Sequence, residues 1–202
     1  YRGGQYYEGE NTMRGKGRGW RPDLPDLYDY TPESPEIDPL LKRMAGMPRG
    51  NEGQVFEQAD LSKWCSPIED QRSIGWCTGY SAGGLYEYFE KRAFGRFTVV
   101  SKRFIYKVTR NFIKVKGDTG AELRNVMGAL VLFGAPPEEY WPSDEKTFDV
   151  EPPAFLYAFA QNFQTIKYFR LDPSGTPPDT LLQRIKGQIT LGLPSMFGFT
   201  CY

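Results

Sequence analysis

Asp70-Gln71-Arg72-Ser73-Ile74-Gly75-Trp76-Cys77-Thr78-Gly79-Tyr80-Ser81-Ala82 is the stretch around which the chain is organised. A glutamine stands six residues before a cysteine, with a glycine-bearing turn between them. The residues after Cys77 have helical character, so the cysteine is predicted to open a helix. Amides at a helix start lack intrahelical acceptors and point toward any nearby anion. The partial positive charge there favours thiolate, the reactive form of a cysteine. A glutamine NH2 reaching the same spot adds a second donor, and two donors can hold the oxyanion of an acyl-transfer intermediate. The bland alternative is a buried structural thiol.

This stretch resembles the active-site segment of the papain-like cysteine peptidases, which runs Asp/Asn-Gln-Gly-Ser-Cys-Gly-Ser-Cys-Trp-Ala-Phe-Ser-Ala. Gln71, Ser73, Gly75, Cys77, Ser81 and Ala82 match it. Ile74 replaces a cysteine that forms a disulfide in the family, Trp76 replaces a small residue, and Thr78 replaces a tryptophan. Further marks resemble a bacterial-type branch: Gly19-Trp20-Arg21-Pro22-Asp23-Leu24-Pro25-Asp26, Asp118-Thr119-Gly120-Ala121, Trp141-Pro142 and Phe197-Gly198-Phe199-Thr200. The likeness runs from about residue 18 to 202.

The resemblance implies an α+β, papain-like two-lobe fold: a helical left lobe and the beginning of a β-barrel-like right lobe. It implies Cys77 and Gln71 as catalytic residues. It implies a substrate-binding set of Gly75, Trp76, Thr119, Gly120, Phe197 and Gly198. Asp118 to Ala121 is either the loop whose backbone pairs with a substrate peptide or a plain helix cap. Phe197 and Gly198 line a substrate subsite or belong to a core strand. The implied partner is a peptide or protein substrate, with no cofactor and no metal.

Composition sets the outer bounds. Hydrophobic residues at 40% and aromatic residues at 15% can build a core in one large domain or two small lobes. The net charge is zero, so no nucleic-acid partner is expected. No run of about 18 apolar residues suggests a membrane span. Cys65, Cys77 and Cys201 make neither a disulfide framework nor a zinc site. They say little about compartment, a secreted or extracellular setting being slightly favoured.

Three regions are predicted: an N-terminal, prosegment-like arm over 1–54, a helical lobe with the nucleophile over 55–150, and the start of a sheet lobe over 151–202. Arg14-Gly15-Lys16-Gly17-Arg18-Gly19 is a basic arm or a flexible tail. Prolines and acids over 20–54 favour extended chain, with a helical patch near 39–44, lying in a groove or packed outside. Residues 60–68 resemble a family strand, with Cys65 buried. Cys77, Ser81, Gly84, Leu85, Tyr88 and Phe89 are predicted to form the buried stripe of the first long helix, and Gly83 and Gly84 to pack closely. Ser101 caps the next helix. Thr119 and Glu122 have capping-box spacing before a third helix ending at Gly134. A short helix over 153–163, a strand over 165–171, a helix over 179–192 and a buried strand over 193–202 complete the expectation.

The chain contains no histidine. A thiol peptidase of this kind uses an imidazole as general base. In the family pattern that residue and an orienting asparagine lie about 130 to 150 residues after the cysteine, beyond Tyr202. The expectation is therefore a cysteine peptidase seen as a fragment or first chain, inactive alone, whose histidine and asparagine come from a C-terminal part or chain. The alternative is a catalytically inactive papain-fold scaffold or assembly protein.

Overall fold

Three helices carry the body of the protein in the computed structural model, which describes residues 19–24, 26–45, 58–165 and 167–199. The basic run at 14–18, Thr200 and Cys201 lie outside the described residues. In chain order the elements are β1 (Trp20–Arg21), α1 (Asp38–Ala45), α2 (Cys77–Phe94), α3 (Lys102–Phe112), β2 (Ala121–Glu122), α4 (Leu123–Phe133), α5 (Ala154–Ala160) and α6 (Pro178–Thr190).

α3 is the central element. Every residue from Lys102 to Arg110 is buried, charged ones included. Ser101 starts it as predicted, its hydroxyl accepting the Phe104 N–H at 3.1 Å. One apolar cluster joins α2, α3 and α4 through Ala82, Val100, Ile105, Ala121, Val126 and Leu130. A second brings in α5 through Phe104, Val108, Ala129, Leu156 and Ala160. The cations α3 buries each have a partner, as burial requires. Lys102 Nζ pairs with Glu87 at 2.6 Å and with Glu69 at 2.8 Å. Arg110, fully buried, pairs with Asp149 at 2.7 Å and lies over the Tyr106 ring at 4.2 Å.

The papain-like α+β expectation holds for the helical lobe, while the sequence patterns elsewhere are corrected in several places. The buried face of α2 is Thr78, Gly79, Ala82, Gly83, Glu87 and Tyr88, with Ser81 and Phe89 exposed. The face is rotated because α2 turns its small residues toward α3. A Cβ on Gly79 would sit 3.1 Å from the Lys102 carbonyl oxygen, and one on Gly83 would sit 3.0 Å from the Lys102 stem. Gly84 has nothing within 4 Å.

The capping box at α4 does not form. Glu122 is the N-cap residue without a side-chain cap, and Thr119 donates to the Gly120 carbonyl instead. An acceptor comes from the arm: the Arg124 N–H donates to Asp23 at 3.2 Å.

Three predicted strands are absent among the described residues. Over 60–68, Asp60 accepts the Ser62 N–H at 2.8 Å and winds Ser62–Trp64 into a 3₁₀ turn. Cys65 there is exposed, not buried. Residues 165, 167–171 and 193–199 find no neighbouring strand, and a strand without a partner leaves its backbone groups unpaired. Phe197 and Phe199 are 76% and 67% exposed, so 193–199 is not a core strand.

Candidate active site

The site begins at the first residue of α2. Cys77 opens the helix, half-buried and free, beside amides that the helix leaves without intrahelical acceptors. A buried wedge precedes it. Trp76 is 1% exposed, packs against Tyr80 at 5.7 Å and meets Tyr106 edge-on at 6.4 Å. Its indole N–H donates to the Gln71 carbonyl at 2.5 Å, closing the turn that separates glutamine from cysteine. With its ring inside, Trp76 offers a peptide only its backbone.

Local hydrogen bonds hold this turn. Arg72 has φ 58°, a left-handed conformation, with its N–H on Asp70 at 2.9 Å. Gln71 Nε2 donates to the Ile74 carbonyl at 3.3 Å. Ser73 gives both its N–H (2.7 Å) and its hydroxyl (2.5 Å) to Glu145, and these bonds hold that carboxyl below its ordinary value. The Gly75 N–H donates to both oxygens of Asp118 at 2.9 Å. Tyr106 donates its hydroxyl to Asp118 at 2.7 Å and accepts the Gly120 N–H at 2.9 Å. Burial, reinforced by Asp118, pushes the Tyr106 phenol well above its ordinary pKa.

The arm lies against this construction. β1 pairs in parallel with β2, Trp20 opposite Ala121 and Arg21 opposite Glu122. The Ala121 N–H donates to the Gly19 carbonyl at 2.7 Å, and Arg21 pairs with Glu122 at 3.3 Å. The approach is backbone to backbone. A Cβ on Gly19 would fall 1.5 Å from the Gly75 carbonyl oxygen, and one on Gly120 (φ +69°) 2.1 Å from the Gly19 oxygen. A Cβ on Gly198 would fall 2.0 Å from the Trp20 ring. Further along, Arg124 holds Asp29 at 2.6 and 2.5 Å.

The structure thus gathers Gly75, Gly120 and Gly198 around one extended segment, with Cys77 two residues from Gly75. Phe197 and Phe199 pair with tilted rings 5.9 Å apart on either side of Gly198, and Thr119 is exposed at the loop edge. Sequence reasoning singled out neither Tyr106 nor Glu145. Tyr106 looks like any aromatic on a core helix, and Glu145 like any exposed acid. No group of three or more potential ligands for a metal occurs among the described residues, and no described helix is long and apolar enough to cross a membrane.

No protein-family model matches the chain. A peptidase C1-like protein of Acanthamoeba polyphaga mimivirus is 30% identical over 136 residues, which cover 66% of this chain and 44% of that protein. The crystal structure of xylellain, a cysteine protease from Xylella fastidiosa, superposes with a TM-score of 0.64 at 24% identity, over 88% of this chain and 64% of that one. The chain has the papain-like fold, and over 136 residues its sequence is similar to that peptidase C1-like protein. This papain-like chain spans less than half the length of the viral relative and about two thirds of the bacterial structure.

Proposed function

We propose that this chain carries the nucleophile half of a cysteine peptidase site. Cys77 attacks the scissile carbonyl. Its own backbone N–H and the Gln71 amide, moved from the Ile74 carbonyl, hold the oxyanion. A histidine takes the thiol proton as general base and, as the imidazolium, gives it to the leaving amine; water, deprotonated by the same histidine, then hydrolyses the thioester. The histidine base and its orienting asparagine lie outside these 202 residues. The observation that carries the reading is Gly19–Arg21, an extended peptide seated against Gly75, Gly120 and Gly198, with Gly75 two residues before Cys77. A groove that takes this segment can take a substrate backbone. The segment is then the blocking part of a prosegment-like arm over 1–54, and Gly75, Thr119, Gly120, Phe197, Gly198 and the backbone of Trp76 contact substrate once it leaves.

The test uses the full-length gene product, reduced, with an epoxysuccinyl dipeptide and mass spectrometry. Cys77 is expected to take the label and Cys77→Ala to lose both label and peptide hydrolysis. An unlabelled Cys77 in the folded protein overturns the reading. The absence of histidine from these residues keeps a second reading, an inactive scaffold, and a stable multi-subunit particle without peptidase activity supports that one.

A further inference from the structure

We propose that Asp118 and Tyr106 are positioning residues that lock the Cys77 turn to the wall of the peptide groove. The inference rests on the peptidase reading and adds a part to it. Two segments must keep a fixed separation for a peptide carbonyl to meet the thiol: the turn ending at Cys77, and the loop 118–121 that pairs with an extended chain. A single carboxylate joins them. Asp118 accepts the Gly75 N–H on both oxygens at 2.9 Å and the Tyr106 hydroxyl at 2.7 Å. Tyr106 passes the tie onward by accepting the Gly120 N–H at 2.9 Å. Neither end is loose. Tyr106 is fully buried, with the Arg110 guanidinium 4.2 Å over its ring. Arg110 also donates to the Gly117 carbonyl, next to Asp118. Charge-assisted bonds from a carboxylate to a backbone N–H and a phenol are among the stronger polar ties available. Burial, reinforced by Asp118, raises the Tyr106 pKa and so favours the protonated hydroxyl that donates to the carboxylate.

A positioning role separates peptide engagement from thiol chemistry. Two reagents read the difference on Cys77 of the full-length, reduced protein: an epoxysuccinyl dipeptide that must lie in the groove, and iodoacetamide that need not. Asp118→Ala and Tyr106→Phe are expected to slow the dipeptide by at least about tenfold and iodoacetamide by less than about twofold, since each removes two hydrogen-bonded partners from the tie. Asp118→Asn, which keeps an acceptor for Gly75, is expected to recover most of the dipeptide rate. Amide exchange by NMR gives a readout independent of reactivity, and covers the case in which Asp118→Ala does not fold. In Tyr106→Phe the Gly120 amide is expected to exchange about tenfold faster while α3 amides are unchanged. Equal slowing of both reagents, or Gly75 and Gly120 amides exchanging as in the parent, overturns the proposal. A parent protein that the dipeptide never labels overturns the peptidase reading instead, and the tie is then decided by the exchange rates alone.

Discussion

Two glycines of α2 carry opposite meanings that the sequence does not separate. Gly79 faces α3, where an added Cβ meets the Lys102 carbonyl oxygen at 3.1 Å and Tyr106 Cβ at 3.3 Å. Gly84 faces open space. Gly84→Ala is therefore expected to stabilise the protein by about 0.5–1 kcal/mol through helix propensity. Gly79→Ala is expected to lower stability because the backbone it meets cannot move aside. Thermal unfolding of the two variants checks both signs. The helix start at Cys77 and the turn between it and Gln71 were legible because both are local properties of the chain. Tyr106 was not, because its importance lies in a bond to a residue twelve positions away.

At the level of elements, helix positions were readable and the buried face of α2 was not. α2, α3, α4 and α6 fall close to where apolar spacing, Ser101 and the glycine stops put them. Gly95 (φ 72°) ends α2 in a left-handed conformation. The face of α2 was misread because it buries Glu87, whose partner Lys102 comes from another helix. Lys102→Met leaves Glu87, 1% exposed, without its cation. A loss of about 3–5 kcal/mol is expected, read by denaturant unfolding. Adding Glu87→Gln should return part of it. The start of α4 was misread for a similar reason, since the Arg124 amide is satisfied by Asp23, 101 residues away. Asp23→Ala is expected to cost about 1 kcal/mol. Burial pushes the Asp23 carboxyl up, so Asp23→Asn should be the milder change.

For the molecule as a whole, the helical lobe was visible in sequence and the sheet portion was not. Strand patterns over 165–171 and 193–199 describe what those residues can do beside a neighbour, and the described residues give them none. Acid response is also a property of the whole. Burial alone would raise the Asp149 pKa, but Lys107, the Gly117 N–H and Arg110 together hold it below 3.8. A carboxyl lowered on folding stabilises the native state above its unfolded value. That stability is lost as pH falls through the folded value. The melting temperature should therefore fall steeply below about pH 4, the ordinary aspartate value. Asp149→Asn should flatten this fall. At neutral pH it should cost about 2 kcal/mol, less than a fully buried break, because Arg110 keeps the Gly117 and Phe148 carbonyls.

The close approach of the arm also has a genetic side. Gly19, Gly120 and Gly198 meet their neighbours with no room for a single carbon. Every missense change of a glycine codon adds one. At each of these three codons, then, a single nucleotide substitution is expected to force Gly19–Trp20 and its neighbours apart. Variation in a population should accumulate there as arm-released alleles if an open groove is tolerated, and be purged if it is harmful. The frequency of change at these codons, set against Gly84, would show which state of the groove selection protects.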